Sequence, residues 1–178
     1  MNKKELKSKV RSITIDTLNQ VLEADKKLSD LNEKKGIYAE TYFKQLQEEI
    51  KGKKETVISS ATKEVDSIID DYKKTVHQDF TLKGEELTED AKLFNSGLKL
   101  NGKQLNELGK KYKDNHTMTQ LINDYATENG MIIENPAATE AEELETADSL
   151  KGYFNSAIER PNFPEWSSED YFNKVFGD

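Results

Sequence analysis

The side chains that most often carry chemistry are thinly spread in this chain. It has no cysteine, so neither a thiolate nucleophile nor a thiolate-bound metal can form. No Gly-x-Ser-x-Gly turn presents a serine. The two histidines, His77 and His116, belong to no His-x-x-x-His pair, and neither has the Glu-x-x-His spacing of a di-iron bundle. Carboxylates are plentiful, in pairs such as Asp70-Asp71, Glu85-Glu86, Glu89-Asp90 and Glu142-Glu143. General acid–base work needs two of them facing one cleft with split pKa values. Neighbouring acids on amphipathic helices are usually solvated instead. No Asp-x-Asp-x-Asp-Gly loop marks calcium. Gly102-Lys103 and Gly109-Lys110 lack the following hydroxyl residue of a phosphate loop. The expectation is a non-enzyme with neither metal nor cofactor.

What remains is the chemistry of contact. Lys110, Lys111 and Lys113 flank Tyr112 and form the best basic patch, which suits a phosphate or an acidic partner. A solvated helix C-terminus accounts for it equally well. The formal charge is −8, and it is uneven: residues 1–80 carry 16 basic and 15 acidic side chains, residues 131–178 carry 3 and 11. A negative body speaks against nucleic-acid binding, which needs clustered Lys and Arg. Tyr153, Phe154, Phe163, Trp166, Tyr171, Phe172 and Phe176 crowd into 24 residues. Two readings stay open for them. They dock back on the preceding helices as a cover, or they form a partner-binding tail anchored by Trp166.

Long helices must position these groups. From about Lys3 to Lys34, Leu6, Val10, Ile13, Val21, Ala24, Leu28 and Leu31 recur at helical spacing without an internal Pro or Gly. Lys34, Lys35 and Gly36 supply the stop, with Gly36 in the left-handed conformation. A second helix is expected over 37–78, with a stripe of Tyr38, Tyr42, Leu46, Ile50, Val57, Ala61, Val65, Ile68, Tyr72 and Val76. Gly52 interrupts that stripe and marks a bend or weak point. Two long helices joined by a short turn fold back antiparallel, in a coiled-coil-like hairpin. A hairpin leaves part of each stripe bare, so self-association is expected through Leu6, Val10, Ile13, Leu46, Ile50, Val57, Ala61, Val65, Ile68 and Tyr72.

Beyond Phe80 the helices shorten. One starts near Thr88-Glu89-Asp90 and stops at Gly97. Asn101 with Gln104 reads as a cap, and Asn115 or Thr117 caps a helix that Gly130 closes. Leu87, Leu93, Phe94, Leu98, Leu100, Leu105 and Leu108 are the expected core of this module. Met131-Ile132-Ile133 is a connector or a short strand, and Asn135-Pro136-Ala137 is a breaker. An acidic helix then runs from Thr139 to Arg160. Pro161 and Pro164 end it, Ser167 with Asp170 resembles a capping pair, and EDYFNKVF forms the last helix. The fold class is therefore all-α: a hairpin over 1–80, a small module over 81–130, and an acidic helix with an aromatic segment over 131–178.

The stretch ELTEDAKLFNSGLKLNGKQLNELGKKYKDNHTMTQLINDYATENG covers about 45 of 178 residues. Through Leu105, Leu108, Tyr112, Asn115, Thr117, Met118, Leu121, Tyr125, Asn129 and Gly130 it resembles a segment of small helical proteins encoded near head-morphogenesis genes of Gram-positive phages and prophages. The resemblance implies a structural or assembly protein that forms a homo-oligomer and binds other virion components, and it brings no functional residues with it. The alternative is an acidic inhibitor or adaptor that engages a basic host protein through residues 134–145. The N-terminus lacks the apolar core of a secretory signal, and no apolar run approaches the roughly 20 residues that span a bilayer. The helices also lack the Lys-rich polar face of a membrane-surface helix. The bacterial host cytoplasm or the virion is the expected location.

Overall fold

The computed structural model describes residues 1–134 and 138–177; the expected breaker Asn135-Pro136-Ala137 lies outside the described residues. Among those residues there are helices and no strand. They follow as α1 (Lys3–Glu33), α2 (Glu40–Phe80), a 3-10 turn (Gly84–Glu86), α3 (Ala91–Phe94), α4 (Gly102–Lys111), α5 (His116–Glu128), α6 (Glu140–Glu159), a second 3-10 turn (Pro164–Ser167) and α7 (Glu169–Phe176). The protein is all-α, with α1 and α2 packed as a long hairpin ahead of shorter helices.

A reciprocal cap starts α1. The Asn2 side chain accepts from the Glu5 amide at 2.9 Å, and the Glu5 carboxylate accepts from the Asn2 amide at 3.2 Å. The helix ends differently from expectation. Gly36 is not among the glycines with positive φ. Instead the amides of Lys34, Lys35 and Ile37 bond back to the carbonyls of Leu31, Asn32 and Lys34, so successive tight turns satisfy the helix end. Gly52 breaks nothing. It lies inside the continuous α2, and the Thr56 hydroxyl bonds its carbonyl at 2.8 Å.

The chain divides into two compact units, Met1–Lys73 with the chain from Glu145 onward, and Lys74–Leu144. This differs from three consecutive parts, because the C-terminal helices return to the first. In the first unit, α6 lies antiparallel to α2. Lys73 pairs with Asp148 at 2.6 Å and Lys151 with Asp66 at 2.7 Å. The core joins Leu6, Val10, Leu18 and Val21 of α1 to Val65, Ile69 and Tyr72 of α2 and Ala147, Leu150, Phe154 and Ala157 of α6. Thr14 is fully buried among them. Its hydroxyl donates to the Val10 carbonyl at 2.7 Å, which satisfies the polar group locally. The buried isoleucine of α2 is Ile69 rather than the expected Ile68, which sits about 100° round the helix and is half-buried.

The second unit is built on Leu100, Leu105, Ile122 and Ala126, with Leu93, Phe94, Leu108, Tyr112, Tyr125, Met131 and Ile133 packed against them. Its caps follow the sequence. Asn101 and Gln104 cap each other at α4, Asn115 accepts from the Met118 amide at 2.9 Å, and Gly97 and Gly130 take φ of 75° and 62°. Leu87 and Leu98 are exposed, not core. At Leu98 the backbone carbonyl, not the side chain, meets α5 by accepting from the Tyr125 hydroxyl at 3.2 Å. Met131-Ile132-Ile133 is an irregular connector that leaves Ile132 exposed to solvent. Ahead of α6, Thr139 and Glu142 cap each other at 2.8 and 3.3 Å. At α7 the cap is Ser168, bonded by the Tyr171 amide at 3.2 Å, in place of the expected Ser167 with Asp170.

Candidate interaction site

Tyr153 gathers the C-terminal aromatic rings. Trp166, Phe172 and Phe176 stand edge-on to it at centroid distances of 5.5, 5.3 and 5.7 Å. Its hydroxyl donates to the Trp166 carbonyl, and the Trp166 indole donates to the Arg160 carbonyl at 3.0 Å. Helix α7 is held on α1 by two cations. Arg11 stacks over Phe172 at 5.7 Å, and Lys7 Nζ donates to the Phe176 and Gly177 carbonyls, where the helix ends with unpaired acceptors. This corrects the partner-binding tail. Tyr153, Phe154, Trp166 and Phe172 are buried inside the first unit, and Tyr171 and Phe176 are half-buried. Phe163 alone of the seven is exposed, at 45%.

The expected self-association stripe also splits. Ala61 is buried but still borders the face between α1 and α2, whereas Leu6, Val10, Val65 and Tyr72 are buried within the chain and have no surface left to offer. Their burial follows from α6 covering the hairpin on that side. Ile13, Leu46, Ile50, Val57 and Ile68 remain half-buried. Four of them, Ile13, Ile50, Val57 and Ile68, line a groove between α1 and α2; Leu46 stands outside it. The groove comprises two hollows of about 600 and 550 Å³ that share Gln20, Thr56 and Val57. No residue of α6 or α7 lines either one.

The groove's floor is apolar or small, and its rim is charged. Ser12, Thr17, Ser60 and Ala61 keep the floor low, so a helix can approach closely. Lys9, Asp16 and Glu64 stand along one stretch; Glu23, Lys27, Lys53 and Lys54 stand along the other. On the second stretch the charges are already paired. Lys54 meets Asp25 at 2.5 Å, and Lys27 holds the Glu23 carboxyl below its ordinary range through a hydrogen bond and its charge. Lys9, Asp16 and Glu64 have no ion-pair partner among the described residues. The sequence reading missed these rim residues. On α1 they follow one another at seven, seven and four residues, Lys9, Asp16, Glu23 and Lys27, on one helical face beside the apolar stripe, which was the available signal.

In the second unit the basic patch is divided. Lys111 bonds Asp90 at 2.7 Å and lies over the Tyr112 ring, whose hydroxyl donates to the same carboxylate at 2.8 Å. Those two donors hold the Asp90 carboxyl below its ordinary 3.8, and Asp90 in turn raises Lys111 above 10.5. Lys110 and Lys113 flank a separate recess of about 380 Å³ over Leu105, Ile122 and Ile133. His77 meets Glu140 at 3.1 Å, and the His116 ring lies 5.0 Å from Phe80. Among the described residues, no group of three or more His, Asp or Glu is placed to hold a metal ion. No described helix is long and apolar enough to cross a membrane. No family model, no curated protein and no solved structure matches the chain.

Proposed function

We propose that this chain is a non-enzymatic structural or assembly protein that associates with itself and holds other components of an assembly. The groove between α1 and α2 carries the proposal. Ile13, Ile50, Val57 and Ile68 are large apolar side chains left half-covered along one face of a long hairpin. Covering such surface is favourable by about 25 cal/mol per Å² removed from water. Contiguous apolar grooves with charged rims mark sites of protein contact. The likeness of residues 86–130 to small phage and prophage proteins directs the proposal towards virion assembly, with other virion proteins as the further partners.

Sedimentation of the whole chain tests it. The expected mass is a multiple of 20.3 kDa. Ile68→Lys puts a charge on the groove floor and should return the protein to monomer with its helicity intact. Val65→Lys is the control for a core defect: Val65 is fully buried, so that variant should lose helicity. A wild-type chain that stays monomeric at high concentration overturns the proposal.

A further inference from the structure

Positions along the groove repeat about a midpoint. On α2, Ile50 and Ile68 are equidistant in sequence from Ser59, and so are Lys54 and Glu64, and Val57 and Ala61. On α1, Lys9 and Glu23 are equidistant from Asp16, as are Ser12 and Gln20. All of these except the midpoint Ser59 line the groove. Residues 9–20 of α1 face residues 56–68 of α2 across one hollow, so the two midpoints stand at nearly the same height. In each charged pair the partners about the midpoint have opposite sign. In each apolar pair they are alike.

A twofold axis lying in the interface makes a surface meet its own copy. If that axis crosses both helices at these midpoints, each helix lies antiparallel on its counterpart. Lys9 then faces Glu23 of the second copy, Glu64 faces Lys54, Ile50 stacks on Ile68, and Val57 on Ala61. Of the three rim charges without an ion-pair partner in the chain, Lys9 and Glu64 each gain an opposite one, while Asp16, at the midpoint, meets its own copy. The other closed arrangement has its axis running along the helices. It sets Ile13 over Glu64 and Ala24 over Lys53, so apolar side chains would be covered by charged ones. We infer that the groove is a self-complementary interface, on which a second copy of this chain docks crosswise to form an antiparallel twofold dimer. This inference rests on the self-association reading above and adds to it the partner, its direction and its register.

Charge exchange tests the register in the full chain. Sedimentation equilibrium would compare wild type, K9E, E23K and the double variant K9E/E23K. These side chains lie on the rim, so folding should be unaffected, and far-ultraviolet circular dichroism checks this. Each single variant should weaken the dimer about tenfold or more, because it sets two like charges face to face twice per dimer. The double variant should recover to within about threefold of wild type, since the pairs are restored with signs exchanged. The chain has no cysteine, so a second readout is clean. A mixture of I50C and I68C proteins should form a disulfide-linked dimer on oxidation, and neither protein should do so alone. A K9E dimer that E23K fails to recover overturns the crosswise docking. Oligomers indifferent to all of these changes also overturn it while leaving self-association standing. A monomeric wild type overturns both.

Discussion

Replacing Tyr153 with phenylalanine isolates one bond at the centre of the C-terminal cluster. The ring sits at 6% exposure with three aromatic neighbours, all of which a phenylalanine ring can keep. What disappears is the hydroxyl that donates to the Trp166 carbonyl in the interior. A buried acceptor stripped of its donor costs about 1–3 kcal/mol, so Y153F should lose that much, with the ring packing preserved. Y153A should lose about 3–5 kcal/mol, as expected for removing a buried ring. Urea unfolding followed by tryptophan fluorescence is the assay. The chain's one tryptophan is Trp166, so the signal reports this cluster directly. The same group sets an alkaline signature. Burial raises the Tyr153 pKa above its ordinary 10.0. Below that value the hydroxyl is protonated in both folded and unfolded chains, and pH has no leverage. Above it the unfolded chain ionises first, so stability falls as pH rises towards the higher folded pKa. Y153F lacks this component and should approach wild type above pH 10. An unchanged urea midpoint, together with alkaline curves that run parallel, would refute the account of the C-terminal cluster closing through this bond.

Two further outcomes concern the second unit. Asp90 has its carboxyl pKa depressed by Lys111 and Tyr112, so its contribution is complete above 3.8 and is lost as pH falls through the lower folded value. D90N should therefore be less stable than wild type near neutrality and converge with it in acid, as measured by helicity during pH titration; a gap that persists to the lowest pH argues against the network. Asn115 caps α5 and also donates to the Glu86 carbonyl at 2.9 Å. N115A should cost about 1 kcal/mol and speed amide exchange in the first turn of α5, whereas unchanged exchange there would rule out the cap.

Much of the local structure was legible in advance, because it depends on residues three or four apart. Asn101 with Gln104 and the turn glycines Gly97 and Gly130 did in three dimensions what their spacing announced, and of the two candidate caps Asn115 and Thr117 the first took the role. The span of α7 followed in the same way. The misplaced features have local causes too. Gly36 was expected to close α1, but three backbone turn bonds do so without a left-handed residue. Ser168 rather than Ser167 caps α7, a difference of one residue between two equally competent hydroxyls.

Which part of a stripe stays bare is a different kind of fact. Val65 and Ile68 look alike in sequence, and only the arrival of α6 makes one core and the other groove floor. The same holds for the aromatic segment. Its composition suited a cover or a binding tail equally, and the choice was made by Lys7 and Arg11, which lie at the opposite end of the chain. By itself, then, the sequence determined that this protein is helical, where most of its helices begin and end, and that its apolar stripe exceeds what a hairpin can bury. Helix propensity and capping act within a turn or two, so those features needed no distant partner. The tertiary structure alone decided which apolar residues remain outside and what charges surround them. Burial depends on contacts between segments from 75 to 169 residues apart, and no local pattern encodes that pairing.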